Sequence, residues 1–387
     1  MNSKQFETAK MCLKVVTPIN IADGIVLGAK DYLYDSRRQK VFFLNLHQWH
    51  MFIYKHMLLE KYESYLANFR VKQSLLEWLR MQGYDIDDVR TVITSEAQAT
   101  VNLMDNEKKK TLNDINRHIQ QPDGSLYVPG SSIKGVFRTA ILYSLLQKRQ
   151  DIKVKYWRQI QEKISSNYFK PYRDFNKLIS DLENELLHTL RLVDGDIHSN
   201  NAVYSAMRGL QVSDTYASRN MQTAILQKVD GGFDKFGKAS PKKLPIFREC
   251  MLPKAELFFD VKIEKAVMST IGINTVNDLL NATHSFFAAV TDLLQQAFEK
   301  EYQEAFQGVA AGNMFLGGNT GFLSKTLLAM LAPDKDTAKN TIKVLLDKSF
   351  KNHKHLLRDK IIAPRTLKCT NYNGKLMLMG VAEVRKV

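Results

Sequence analysis

The period of the apolar residues changes several times along the 387-residue chain, and each change marks an element. Met11–Val16 reads as a first strand closed by Thr17-Pro18, and Tyr32–Tyr34 falls in a short strand pair after the loop Ile19–Gly24. From His47 to Gly83 the spacing turns helical. Trp49, Phe52, Ile53 and Met57 give way to Leu66, Phe69, Leu75, Leu76 and Leu79, as in an inserted helical lobe. Val89–Val101 returns to a strand pattern. In Tyr127–Leu142 the chain bends at Pro129-Gly130 and enters a helix whose Ile133, Val136, Phe137, Ala140 and Ile141 recur every three or four residues. One face of that helix is committed to a core.

A second helical lobe covers Trp157–Leu190, and Gly209–Asp214 then reads as a strand. Leu244–Ile263 looks like two strands around a Leu252-Pro253-Lys254 turn. Helices are predicted over Thr275–Phe306 and Thr337–Leu346, and Lys368–Tyr372 faces Lys375–Val384 across Asn373-Gly374, a strong hairpin signal. Strand, helix, strand, strand thus occurs with interruptions in each half. The expected fold is α+β: two ferredoxin-like (RRM-like) β-α-β-β units with helical insertions at about 45–120 and 150–190, divided into an N-terminal domain, 1–265, and a C-terminal half, 266–387.

Charge changes this picture from architecture to partner. The formal net charge is +15 and the pI is near 9.5, which points to a polyanion, most often nucleic acid. The chain is 44% hydrophobic, enough for a full core, so wholesale disorder is excluded. No apolar run has transmembrane length and Met1–Phe6 has no signal-peptide character, so a cytoplasmic protein without a membrane partner is expected. Cys12, Cys250 and Cys369 are few and far apart, which predicts reduced thiols and no zinc site.

Two loops carry candidate chemistry. Ser131 or Ser132 is the natural N-cap of the helix after Gly130, yet its first turn bears Lys134 where the helix dipole favours an acid. No Asp or Glu occurs between Asp123 and Asp151, so Lys134 and Arg138 lack a local carboxylate. A phosphate held by backbone N–H groups and these two cations would resolve the conflict. Leu316–Leu331 repeats the arrangement: Gly317, Gly318, Asn319, Thr320 and Gly321 feed an expected helix with Asn319 or Thr320 as cap, and Lys325 is the only charge between Glu304 and Asp334. Neither loop has Walker A or Rossmann spacing.

The basic stretch Asp230–Lys243 adds Phe233 and Phe236, on which bases could stack beside Lys235, or it is a plain surface loop. The aromatic RNP1 strand of an RRM is not present, so stacking on a sheet face is not expected by that route. Asp194, Asp196 and His198 have metal-like spacing but equally suit an Asp-Gly turn. His47, His50, His56, His353 and His355 read as helix-surface or solvated residues.

Four motifs together resemble the RAMP superfamily of CRISPR proteins: Val128–Thr139, Gly209–Asp214, Glu249–Leu257 and the glycine-rich Leu316–Lys325. Their order, with the opening Leu13–Gly24, is similar to the subunit of type III-A (Csm) effector complexes that caps the crRNA at its 3′ end. The resemblance implies an RNA-binding subunit without catalytic residues, metal or cofactor, needed for crRNA maturation and defence. Its partners would be crRNA, neighbouring RAMP subunits of the Csm complex and host nucleases for 3′ trimming. It also implies that Gly130, Ser131, Ser132, Lys134 and Arg138 bind crRNA phosphates, and that Gly317–Gly321 with Lys325 contact the RNA backbone.

Two positions depart from the family pattern. Asn20-Ile21-Ala22 stands where many relatives have His-Ile-Gly, and Pro253-Lys254 replaces Pro-Gly. The alternatives are a RAMP-type metal-independent endoribonuclease that processes precursor crRNA through His198 or His284, and a metal-dependent nuclease built on Asp194, Asp196 and Asp214.

Overall fold

The computed structural model describes residues 5–68, 73–100, 112, 114–166, 168–191, 201–217 and 221–387. Asp194, Asp196 and His198 lie outside the described residues. The strands are β1 (Phe6–Val15), β2 (Ala22–Leu27), β3 (Tyr32–Asp35), β4 (Lys40–Leu44), β5 (Ile93–Thr100), β6 (Ile115–His118), β7 (Leu210–Val212), β8 (Tyr216–Ala217), β9 (Thr223–Gly231), β10 (Lys242–Met251), β11 (Glu256–Glu264), β12 (Met314–Phe315), β13 (Leu367–Tyr372), β14 (Lys375–Leu378) and β15 (Val381–Lys386). The helices are α1 (Leu46–Lys55), α2 (Leu59–Ala67), α3 (Leu75–Met81), α4 (Gly130–Lys148), α5 (Gln150–Ser165), α6 (Pro171–Leu187), α7 (Lys265–Met268), α8 (Val276–Tyr302), α9 (Leu328–Leu331), α10 (Lys335–Ser349) and α11 (His355–Arg358).

A six-stranded sheet has the order β12-β15-β1-β11-β7, with β8 also on β11. Its neighbours β15, β1, β11 and β7 are antiparallel, and α4 and α8 pack together over its buried face. Taken in chain order β1, α4, β7, β11, α8, β15, this is one ferredoxin-like β-α-β-β-α-β unit. It closes with the last strand of the chain on the first, so it draws on residues from both sides of 265. The nine-stranded sheet is not a copy of it. Its order is β2-β6-β10-β9-β5-β4-β3, with the β13–β14 pair attached to β9.

The register follows the apolar alternation. Ala9, Met11, Leu13 and Val15 of β1 and Leu257, Phe259, Val261 and Ile263 of β11 are buried, while Thr8 and Lys10 are exposed. Met11 pairs with Phe259, and Leu13 with Leu257 and Val384, so a one-residue slip would turn the whole set to solvent. Phe137 of α4 and Phe259 are fully buried in this core, each burial contributing roughly 1.5–3 kcal/mol. Helix α8 begins with a capping box in which Thr275 and Asp278 exchange side-chain-to-backbone bonds.

The first insertion is shorter than expected. Helices α1–α3 and a 3-10 turn over Ile86–Val92 enclose their own core around Trp49, Ile53, Tyr62, Trp78 and Leu79, after which β5 and β6 rejoin the large sheet. The second insertion is the pair α5 and α6. Strands β10 and β11 do not pair with each other; the turn between them carries the chain from one sheet to the other. There Lys254 takes the left-handed backbone, φ 77°, so the turn keeps a shape that suits glycine despite the substitution. His353 is exposed as expected. His355 is not: it is buried, with Nδ1 2.8 Å from Asp359, whose other oxygen accepts from Arg365.

Candidate nucleic-acid interface

The two loops singled out from the sequence meet across one cleft. A cavity of about 310 Å³ is lined on one side by Ser132, Gly135, Val136 and Thr139 of α4, and on the other by Gly317, Gly318, Thr320, Ser324 and Lys325, with Ile21 and Ala22 at its end. The α4 residues recur at three- and four-residue spacing, which places them on one strip of the helix.

The start of α4 is compensated from within the chain. Neither serine caps it: the helix begins at Gly130 after Pro129, without a side-chain cap. The anion missing from the local sequence is Asp214, whose Oδ1 accepts the Gly130 N–H at 2.7 Å. Gly130 is required by this packing, because a Cβ there would lie 2.3 Å from the Val212 carbonyl oxygen. Lys134 donates to the Leu210 carbonyl oxygen at 2.7 Å, and burial pushes its amine down from the ordinary lysine range. Arg138 pairs with Glu183 of α6. Burial pushes that carboxyl up, and the Arg138 charge works against the rise. The two cations expected to await a phosphate therefore already have protein partners.

The glycine-rich loop differs. It does not run into a long helix; only the short α9 follows, at Leu328. Gly317 (φ 89°), Asn319 (φ 61°) and Gly321 (φ 94°) take left-handed backbone and curl the loop over the end of β10. A Cβ on Gly317 would meet the Asn20 carbonyl oxygen at 2.3 Å, and that oxygen accepts the Gly318 N–H at 2.7 Å. Ser324 donates to the Thr320 and Gly321 carbonyls, which closes the turn.

Beneath the loop lies Arg248 of β10, which sequence reasoning missed. Its Nη1 donates to Asn20 Oδ1 at 3.0 Å, and its buried Nε has no hydrogen-bond partner. Asn20 is fully buried and also donates to the Glu249 carbonyl at 2.8 Å, so its amide is fixed in orientation. Crowding by protein atoms, and then the nearby Arg248 charge, push the Lys325 amine down from its ordinary value. Lys228 is pushed down first by burial and then by Lys368 and Arg248, while Asp230 pulls it back. Asp230 lies 2.9 Å from Lys368 and 3.7 Å from Lys228. Among the described residues no carboxylate pairs with Arg248 or Lys325. Cations held this close without a counter-charge repel one another, and a bound anion would relieve the cost.

His118 ties the end of the cleft to the segment that leads into α4. It is buried; its Nδ1 accepts from the Ile21 N–H at 3.0 Å and its Nε2–H faces the Tyr127 carbonyl at 3.2 Å. Burial pushes its pKa down to about 4, so the ring is neutral near pH 7. The buried Glu249 accepts the His118 backbone N–H at 3.1 Å.

The hairpin between β9 and β10 splits its aromatics. Phe233 turns inward and stacks on Phe298 at 5.3 Å, so it is not free for a base. Phe236 is 75% exposed with the Lys235 amine 4.8 Å over its ring. His284 is exposed on α8 and does not line the cleft. Among the described residues no group of three His, Cys, Asp or Glu could hold a metal ion, and no helix is long and apolar enough to cross a membrane.

Comparison with known proteins places this geometry. The family described as the RAMP superfamily matches residues 12–322. A curated relative from Mycobacterium tuberculosis, named CRISPR system Cms protein Csm5, is 26% identical over 98% of this chain and 97% of its own length. A chain of a Csm–crRNA–target RNA ternary complex from a type III-A CRISPR–Cas system, solved by cryo-EM, superimposes with a TM-score of 0.68 at 17% identity, covering 98% of this chain and 100% of that one. The crystal structure of T. onnurineus Csm5 gives a TM-score of 0.60 at 18% identity, over 96% of this chain and 99% of that one. At these identities the two structures show a shared fold.

Proposed function

Since the chain belongs to the RAMP superfamily, we propose that it is a non-catalytic RNA-binding subunit of a type III-A (Csm) ribonucleoprotein, holding the crRNA at its 3′ end. The observation that carries this reading is the cleft between α4 and the glycine-rich loop, with Lys325 on its wall, Arg248 beneath and, among the described residues, no carboxylate on either. A phosphate entering there meets Lys325 and the curled loop backbone, with the Arg248 charge behind the loop at Gly318. The RNA partner, neighbouring Csm subunits and a role in crRNA maturation and defence belong to the same reading, supported by the full-length likeness to proteins named Csm5. Attachment of host nucleases for 3′ trimming is part of the same reading.

A holding role suits the cleft better than a cutting one. The residues that line it among those described include no histidine, Asn20 is spent on Arg248, and His118 is buried with both ring nitrogens engaged. General acid–base chemistry needs a titrating group that reaches the scissile phosphate. Purification of the tagged protein from its native host, followed by sequencing of bound RNA and identification of bound proteins, tests the proposal. Mature crRNA together with other RAMP subunits is expected. Protein free of RNA and of such subunits would overturn it.

A further inference from the structure

The segment that follows α10 forms a second basic surface, built unlike the cleft. Between Lys351 and Lys360 the only acid is Asp359, and it is buried, 2.8 Å from His355 and 2.8 Å from Arg365. Lys351, Lys354, Arg358 and Lys360 are exposed, and among the described residues no carboxylate pairs with any of them. Apolar groups stand among these cations. Phe350, Leu356, Leu357 and Ile361 are each at least half exposed, and the His353 ring stacks on Phe350 at 5.5 Å. The surface is held in place: Asp359 anchors α11 from within, and the Leu356 N–H donates to Asp347 Oδ1 of α10 at 3.2 Å.

The same segment leads into an apolar pocket. A cavity of about 200 Å³ has among its lining Leu293 and Ala297 of α8, Ala338 and Ile342 of α10, and Ile361 and Ala363. It is smaller than the roughly 300–1,000 Å³ of a small-molecule site and has the size of one large side chain. The charges at its rim cancel in pairs, Lys335 with Asp292 at 3.0 Å and Lys339 with Asp336 at 2.7 Å. The excess positive charge therefore lies along the exposed run and not at the pocket. The stretch of α10 between Ala338 and Asp347 sets the distance from pocket to α11 at about 14 Å, at roughly 1.5 Å per residue. About four extended residues span it.

Two chemistries on one face narrow the occupant. A nucleic acid would use the cations and leave the aliphatic side chains and the pocket idle, whereas a wholly apolar partner would leave the cations unpaired. An apolar anchor seated in a pocket, with charge complementarity around it, is the anatomy of a protein contact. We propose that this face docks an acidic peptide segment of another protein, one large apolar side chain filling the pocket between α8 and α10 while its carboxylates meet Lys351, Lys354, Arg358 and Lys360. The inference does not depend on the RNA-holding function of the cleft.

The test places the photo-crosslinker p-benzoylphenylalanine at Ile361 in the tagged full chain, expressed in its native host, irradiated in the cells and purified. The cross-linked peptide is then sequenced by mass spectrometry. An acidic segment of another protein with a large apolar residue is expected. That segment, synthesised with a fluorescein label, is expected to bind the purified parent saturably. Ala338→Trp, which fills the pocket, and the combined Lys351→Ser, Lys354→Ser, Arg358→Ser and Lys360→Ser variant are each expected to lower its affinity at least about tenfold. Melting temperatures are followed in parallel. The serine variant changes only exposed side chains, so it decides the matter even if Ala338→Trp fails to fold. Cross-links to RNA alone, to a second copy of this chain, or to nothing overturn the inference, as does a labelled peptide whose affinity is unchanged in the serine variant.

Discussion

The first turns of α4 and the loop Gly317–Lys325 stand on opposite walls of one cleft, and both carry lysine without an acid nearby in sequence. Their charges are spent differently. At α4, Asp214 takes the Gly130 N–H, a carbonyl takes Lys134, and Glu183 takes Arg138. At the loop, Lys325 faces Arg248, and Arg248 is held by a neutral amide. A cation whose partner comes from its own chain braces the fold, while one held near another cation by neutral groups is ready for an anion from outside. The difference teaches that lack of a sequence-local acid is a weak signal, and lack of an acid in space is a strong one.

The comparison breaks first if the α4 turn is functional and not structural. Gly130→Ala places a methyl group 2.3 Å from one backbone oxygen of the β7 segment and 2.6 Å from the next. Neither oxygen can retreat without disturbing the sheet edge, so a loss of at least about 3 kcal/mol is expected in chemical denaturation. A Gly130→Ala protein of ordinary stability that no longer binds RNA would reverse the roles assigned to the two walls.

His118 sharpens the comparison from the other side, because it joins the segment after Asn20 to the segment before Pro129. Its folded pKa of about 4 lies below the unfolded value near 6.5. Between these values the unfolded chain binds more protons, so the stability His118 contributes is whole above about pH 6.5 and is lost as pH falls toward 4. The contribution is on the order of 3 kcal/mol, from roughly 1.4 kcal/mol per pKa unit. Glu249, pushed up by its own burial, acts in the opposite direction. The measurement is therefore the pH dependence of unfolding in the parent minus that in His118→Asn, with a parent curve that falls more steeply below pH 6.5 expected. Parallel curves would remove His118 as the strut between the Ile21 segment and the approach to α4.

Much of the architecture is legible in the sequence, because burial on one face leaves a period. The alternation of β1 and β11 and the three- and four-residue spacing in α4 and α8 are local, and they predict the elements that form the ferredoxin-like unit. Its closure by β15 on β1 is not local, and no window of sequence carries it. The site is half legible for the same reason. Glycines and a lone lysine mark the loop, but Arg248 is one polar residue of an alternating strand until the fold lays the loop over it. Asp214 is visible as the end of a strand, and only the fold brings it to the α4 N-terminus. Phe233 and Phe236 lie three residues apart in one hairpin, yet the inward turn of Phe233 is set by Phe298 and Tyr302 of α8.

The finest test sets one pair of cations against the other. Removing one cation–phosphate pairing from a single-stranded complex lowers the log–log salt slope by roughly 0.7. Lys325→Ala with Arg248→Ala is therefore expected to flatten the slope by about 1.4 and to weaken binding more than tenfold at moderate salt. Lys134→Ala with Arg138→Ala removes the same formal charge, but its two cations are already committed, so the slope is expected to change by less than about half as much while stability falls. Equal flattening by both pairs would end the distinction between the walls. Asn20→Asp separates charge from position within the favoured pair. It leaves Arg248 in place and gives it a carboxylate, so the slope should fall by about the share of one phosphate. Asn20→Ala frees the guanidinium without neutralising it, and should weaken binding with the slope kept. Both replacements break the bond from Asn20 to the Glu249 carbonyl, so unfolding is followed in parallel, and only a slope that drops for Asp and holds for Ala assigns the effect to the charge on Arg248.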